Sequence, residues 1–308
     1  MAAGGSTKAV LAALIGNSLI AVAKFVGFFI TGSSSMLAEA IHSVADSGNQ
    51  GLLLWGGKAA KKKADEEHQF GYGRERYFWA FVVALVLFLL GAGFALYEGV
   101  HKIQHPEPID SVVVAYAILI FAICAEFYAF RTAVIESRHT KDPEESWWSF
   151  IRSTRVPELA VVLLEDFGAM VGLVIALVSV FIADTFNAPI WDGIGTLSIG
   201  VLLFVIAIVL MIEMRSLLLG EGAGKREMKA IRDSIAKTPR VKSLLHLRTQ
   251  HLGPEELLIG AKVEFDPGMT TAELAGAVNE VEAAIRSVVP YAQPIYIEPD
   301  LRHEVPLT

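Results

Sequence analysis

Long apolar stretches separated by short polar connections fill the first two thirds of the chain. Six of them reach the roughly 20 helical residues that a hydrocarbon core of about 30 Å requires. They cover approximately residues 10–30, 36–57, 77–99, 111–131, 157–183 and 193–213. The pattern therefore predicts six transmembrane helices. The first is too long, and too closely followed by a second, to read as a cleaved signal, so the N-terminus is expected to stay attached. Beyond Glu213 charged residues return and the periodicity changes. Residues 225–237 form an amphipathic helical pattern that Pro239 ends. Residues 241–250 and 257–265 read as strands on either side of a turn at Gly253 and Pro254. After a turn at Asp266, Pro267 and Gly268, Thr270 caps a helix to about Val288, and residues 294–297 make a last short strand. The expected fold is an α-helical membrane protein: a six-helix transmembrane domain over residues 1–220, then a cytoplasmic α+β domain over residues 221–308. The latter has the order αββαβ and is ferredoxin-like.

Basic residues mark the cytoplasmic side of a membrane protein. Between spans two and three lie Lys58, Lys61, Lys62, Lys63, Arg74 and Arg76; between four and five lie Arg138, Lys141, Arg152 and Arg155. The other short connections contain only Lys102. Both termini are accordingly expected in the cytoplasm. Composition agrees with a membrane protein: 53% of residues are hydrophobic and 19% charged, with a mean hydropathy of +0.48, whereas a soluble domain averages about a quarter charged. The net charge of −7 leaves no basic excess for neutralising phosphates, which argues against a nucleic-acid partner. The single cysteine, Cys124, lies in an apolar run and excludes a disulfide framework and a thiolate cluster.

Ionisable residues within the spans carry the functional information, because a charge facing hydrocarbon is costly and usually faces a bundle interior. The second span contains Glu39, His42, Asp46 and Asn49, whose intervals of 3, 4 and 3 place them on one helical stripe. The fifth contains Glu158, Glu165 and Asp166. At a rise of 1.5 Å per residue, Asp46 lies about 15 Å below one surface and Asp166 about 14 Å from the other, so both fall near the midplane. One imidazole and two or three carboxylates suit a divalent first-row cation. Since these groups shed protons to bind metal, metal and protons compete at one site, which is a physical basis for antiport. His42 is the expected proton exchanger, because imidazole changes charge near neutral pH. An HxxxD pair by itself is more often interhelical packing than a metal site; a second cluster at matching depth favours the metal site.

The runs GSSSMLAEAIHSVADSGNQGLLLWG (residues 32–56), HQFGYGRERYFWAF (68–81) and VVLLEDFGAM (161–170) resemble the cation diffusion facilitator family, of solute carrier family 30 type, nearest its mitochondrial zinc transporter branch. The resemblance implies a homodimer that exports Zn²⁺ or a related divalent ion in exchange for protons by alternating access. It implies a transport site of two residues four apart on each of the second and fifth spans. These map onto His42 and Asp46, and onto Asp166 with Val162, which cannot be a ligand. Glu165 is the expected replacement, with Glu39 and Asn49 as alternative helpers. The expected metal residues are thus His42, Asp46, Glu165 and Asp166, with Zn²⁺ as substrate, Mn²⁺ or Fe²⁺ as alternatives, and protons as counter-ion.

Other polar clusters are expected to serve structure. Asp65, Glu66, Glu67 and His68 correspond to an accessory metal loop in relatives, but a run of clustered surface charge is better read as a solvated face. In the C-terminal domain His246, His251, Asp266, Glu298 and Asp300 are possible regulatory ligands. Tyr296 stands where relatives carry a metal-binding histidine, so a dimerising domain without bound metal is expected. Arg74 resembles the basic half of an ion pair that, in some relatives, links the start of span three to the segment following span six; Leu219 occupies its acidic position, leaving Glu213 or Glu221 as substitutes. Lys24 and Glu126 are expected to pair across the bundle as packing. An intramembrane metalloenzyme is disfavoured by the lack of an HExxH pair, and a membrane metal sensor is the remaining alternative. A bacterial inner membrane is the expected location.

Overall fold

A computed structural model of the chain describes residues 3–109 and 111–301. The outermost residues of both expected domains, 1–2 and 302–308, lie outside the described residues. The chain divides into two compact units: residues up to Lys58 with Arg76–Arg215, and Ala59–Glu75 with the residues from Ser216 onward. The connection between the second and third expected spans thus belongs to the second unit, a placement that sequence reading did not make.

The first unit is helical. Its helices are α1 (Ala3–Thr31), α2 (Ser34–Ala59), α3 (Glu75–Val86), α4 (Gly93–Gln104), α5 (Val112–Thr140), α6 (Trp147–Ser153), α7 (Pro157–Thr185) and α8 (Ile190–Leu219). A π-helical turn at Leu87–Ala92 joins α3 and α4 into one rod. Among the described residues, four helical stretches are long and apolar enough to cross a membrane: Glu75–Gln104, Val112–Thr140, Pro157–Thr185 and Ile190–Leu219. The other two expected spans fall short of that measure for separate reasons. The apolar described part of α1 is the shorter Asn17–Thr31, while α2 spends its interior positions on Glu39, His42, Asp46 and Asn49, all buried. Helix α5 runs nine residues past Arg131, where the apolar run ends, to Thr140. The short α6 was not expected; Ser146 caps it by accepting from the Ser149 amide at 3.1 Å.

Glycines permit a close approach of α4 and α8 in this unit. A Cβ on Gly99 of α4 would lie 2.5 Å from the Leu197 amide nitrogen of α8, and one on Gly200 of α8 would lie 2.7 Å from the Leu96 nitrogen of α4. The two backbones therefore touch, as small residues allow in membrane bundles. Helix α7 is an interior element, and Val161, Glu165, Gly168, Gly172, Ala176, Ser179 and Ala183 form its buried stripe at steps of three and four.

The second unit carries α9 (Lys225–Lys237), β1 (Val241–Gly253), β2 (Glu256–Phe265), α10 (Thr271–Val288) and β3 (Ala292–Pro299), the αββαβ order read from the sequence. The sheet order is β1-β2-β3, with β1 antiparallel and β3 parallel to the central β2. Strand β2 turns Leu257, Ile259, Ala261 and Val263 to one face at period two. Ile231 and Ile235 of α9 and Ala277, Val281 and Ile285 of α10 cover them at period four, so the helices share one face of the sheet. Thr270 caps α10 in a capping box with Glu273, the two residues exchanging hydrogen bonds of 2.8 and 3.3 Å.

The loop of Ala59–Glu75 has its own hydrogen-bonded centre in this unit. Asp65 accepts from Lys62 Nζ at 2.9 Å, from the Tyr72 hydroxyl at 2.7 Å and from the His68 amide at 2.8 Å. These bonds, the Tyr72 hydroxyl first and then Lys62, hold the Asp65 carboxyl below the usual carboxylate range. Gly73 packs on the end of β1: a Cβ there would stand 2.8 Å from the Leu252 carbonyl oxygen.

Candidate metal centre

The sequence places four polar residues on one stripe of α2, and the structure buries all four. Glu39, His42 and Asn49 are fully buried and Asp46 is 7% exposed. His42 Nδ1 lies 3.5 Å from Asp46 Oδ1, one helical turn away. Across the bundle, Asn49 Nδ2 donates to Glu165 Oε1 on α7 at 2.6 Å. Asp46 is within electrostatic reach of both Glu165 and Asp166. The expected residues His42 and Asp46 thus pair on α2, Glu165 is tied to the same helix through Asn49, and Asp166 lies partly buried beside Glu165 on α7.

The two adjacent acids of α7 occupy different faces of that helix. Glu165 belongs to the buried stripe of that helix, while Asp166, about 100° round the axis, is only partly buried. Val162 is partly buried and apolar, so at that height Glu165 and not Val162 supplies an interior oxygen.

In the arrangement seen, several donors are already engaged. Among the described residues, no three His, Cys, Asp or Glu side chains are gathered as a group able to hold a metal ion. The Asn49 amide holds Glu165, and Lys24 of α1 holds Glu39 through a 3.1 Å bond. Both ring nitrogens of His42 and Oδ1 of Asp46 are buried without a hydrogen-bond partner. Buried polar atoms of this kind normally find partners, so this pair is an open donor set.

Two features near the centre escaped sequence reading. The π-helical turn brings Gly91 against α2, where a Cβ on Gly91 would stand 3.9 Å from His42 Nδ1. Such turns in otherwise regular helices recur at functional sites. Lys24 approaches Glu39 more closely, at 3.1 Å, than the expected Glu126, at 3.8 Å.

The expected auxiliary sites mostly resolve into structural pairs. Glu158 forms a two-pronged pair with Arg76, at 2.6 and 2.9 Å, and Glu213 pairs with Arg152 at 3.1 Å. Arg74, expected to form an ion pair, has a buried Nε without a hydrogen-bond partner. Glu298 and Asp300 are bound to Lys262 at 3.0 and 3.2 Å. His251 is buried and stacks on Tyr291 with ring centroids 6.3 Å apart, and exposed Tyr296 pairs in register with Gly260.

A helical unit with long apolar helices, buried acids beside a histidine, and an α/β unit that follows it in the chain are the features of a multi-pass membrane protein with a polar interior. Residues 10–219 match the model of the cation efflux transmembrane domain, and residues 224–300 match the cation efflux protein cytoplasmic domain, a model named for dimerisation. The chain belongs to the cation efflux family. It is 31% identical over 268 residues to human SLC30A9, named as a mitochondrial proton-coupled zinc antiporter, covering 87% of this chain and 47% of that protein. It is 25% identical to the magnetosome protein MamB of Magnetospirillum gryphiswaldense, covering 86% and 84%. A solved chain of the MamM CTD aligns over 26% of this chain and 100% of its own, at 18% identity and a TM-score of 0.24. The chain spans about half the length of the SLC30A9 relatives it matches.

Proposed function

We propose that this protein exports a divalent cation, Zn²⁺ foremost, in exchange for protons by alternating access. The transported ion is held by His42, Asp46, Glu165 and Asp166. The observation that carries this reading is the buried His42–Asp46 pair at 3.5 Å, without hydrogen-bond partners on the imidazole, within electrostatic reach of both acids of α7. In the loaded state Glu165 turns from Asn49 to the cation. One nitrogen with mostly oxygens is a harder donor set than a two-histidine site, so Mn²⁺ and Fe²⁺ are the alternative substrates. Protons replace the ion because the same atoms bind either.

The proposal includes six spans, with α1 and α2 added to the four long apolar helices, and with both termini on the side of the basic connections. The polar face of α2 is compatible with a span because it is turned into the bundle. Residues 1–220 are the transport domain and residues 221–308 the cytoplasmic domain, through which two chains form a homodimer. A bacterial inner membrane is the proposed location, supported by the likeness to MamB. The name of SLC30A9 supports zinc and proton coupling. Reconstituted vesicles with a zinc-sensitive dye inside and an imposed pH gradient test this directly. Zinc entry that depends on the gradient is expected, and no metal flux with the wild type would sink the reading.

A further inference from the structure

One buried charge cluster in the helical unit has no part in the transport scheme. Lys24 of α1 is fully buried, donating to Glu39 Oε2 at 3.1 Å and to Ser43 Oγ at 2.7 Å, and it lies 3.8 Å from Glu126 Oε1 of α5. A single ammonium thus joins three helices. Glu39 is fully buried and Glu126 is 3% exposed. The second oxygen of Glu39 is buried without a hydrogen-bond partner. It faces Gly172 of α7, where a Cβ would stand 2.5 Å away.

Two carboxylates removed from solvent need a cation, and Lys24 supplies one from the chain itself. Lysine is a compact point charge on a flexible stem, which makes it a close stand-in for a free ion. Around its ammonium are two carboxylates and a hydroxyl, and one Glu39 oxygen is left unengaged, an oxygen-rich set that suits a hard divalent cation once the amine is gone. The cluster also lies near the proposed transport site: Glu39 is one turn from His42 on the same stripe, and Lys24 is within electrostatic reach of Asp46.

We propose that Lys24 is a built-in counter-cation occupying a latent second cation site formed by Glu39 and Glu126, and that it thereby limits the pathway to one divalent ion per cycle. Lys24 is then a specificity-determining residue for ion number and not a ligand. The inference rests on the transport reading above, but its test does not require flux. Equilibrium dialysis of the full-length protein in detergent with radiolabelled Zn²⁺ counts the ions bound per chain. Lys24→Met is expected to bind about one more Zn²⁺ than the wild type. Lys24→Arg should keep the wild-type count, and Lys24→Met combined with Glu39→Gln and Glu126→Gln should return to it.

An unchanged count in folded Lys24→Met overturns the proposal, since a residue that only glues helices would alter stability alone. If Lys24→Met does not fold, Glu39→Gln with Glu126→Gln leaves the ammonium uncompensated near Asp46. Zinc affinity should then fall tenfold or more, and unchanged affinity overturns the proposal. An extra ion in Lys24→Met, together with a wild type that moves no zinc, would remove the transport reading and leave the latent site standing.

Discussion

Asn49 on α2 holds Glu165 on α7 through a 2.6 Å hydrogen bond inside the bundle. This bond couples the helix carrying His42 and Asp46 to the helix carrying Glu165 and Asp166, and it engages the carboxylate that we propose stands in for a ligand at the Val162 position. In the proposed site a cation competes with Asn49 for Glu165. A hydrogen bond to a charged group contributes about 1.5–3 kcal/mol, so Asn49→Ala should tighten zinc binding about tenfold or more. Release should slow and turnover should fall. Calorimetric titration checks the affinity and vesicle flux checks the turnover.

The neighbouring acid gives a complementary prediction. Glu165→Gln keeps the size of the side chain and a hydrogen-bonding oxygen but removes its charge. Zinc affinity should weaken at least tenfold while the thermal unfolding temperature of the detergent-solubilised protein stays close to wild type. Normal transport in this variant would mean that water or another group completes the site.

The contact of α4 with α8 leaves no room for a methyl group at Gly99, whose Cβ would meet the Leu197 nitrogen at 2.5 Å. Overpacking of this kind typically costs about 1–3 kcal/mol, and here the obstacle is backbone that cannot rotate aside. Gly99→Ala should lower the unfolding temperature measurably. Gly51→Ala, where nothing lies within 4 Å of the added carbon, should not lower it.

Much of this architecture was legible in hydrophobic spacing, because helices that bury one stripe repeat at three and four residues and strands at two. Glu39, His42, Asp46 and Asn49 could be placed on one buried face of α2 from their intervals, and the elements of the second unit from their turns. Less legible were features set by tertiary contact. The π-helical turn at Leu87–Ala92 has no distinct local pattern, being apolar like the helices on either side. Lys24 prefers Glu39 to Glu126 because of side-chain reach across a helix pair, which spacing along one helix does not encode. The bond from Asn49 to Glu165 spans 116 positions and likewise has no local signal.

The loop at Asp65 makes a prediction in pH. A carboxyl held below the usual range contributes stability that is fully present above the unfolded value, about 3.9 for Asp. That contribution is lost only as pH falls through the lower folded value. The His68 amide, which donates to Asp65 at 2.8 Å, should keep its hydrogen-exchange protection from neutral pH down to about pH 4, after correction for intrinsic rates. In Asp65→Ala the protection should be absent throughout. Protection in the wild type that fades between pH 6 and about pH 4 would contradict the hydrogen-bonded centre.

The central claim is that a divalent ion crosses the membrane at the buried meeting of α2 and α7. The most direct measurement is zinc flux into sealed vesicles under an imposed pH gradient, comparing the wild type with Asp46→Ala and Asp166→Ala at matched protein content and matched unfolding temperature. The expected result is gradient-dependent flux in the wild type and loss of at least nine tenths of it in each variant. Full activity in Asp166→Ala would contradict the proposed site, and wild-type vesicles without flux would contradict the function.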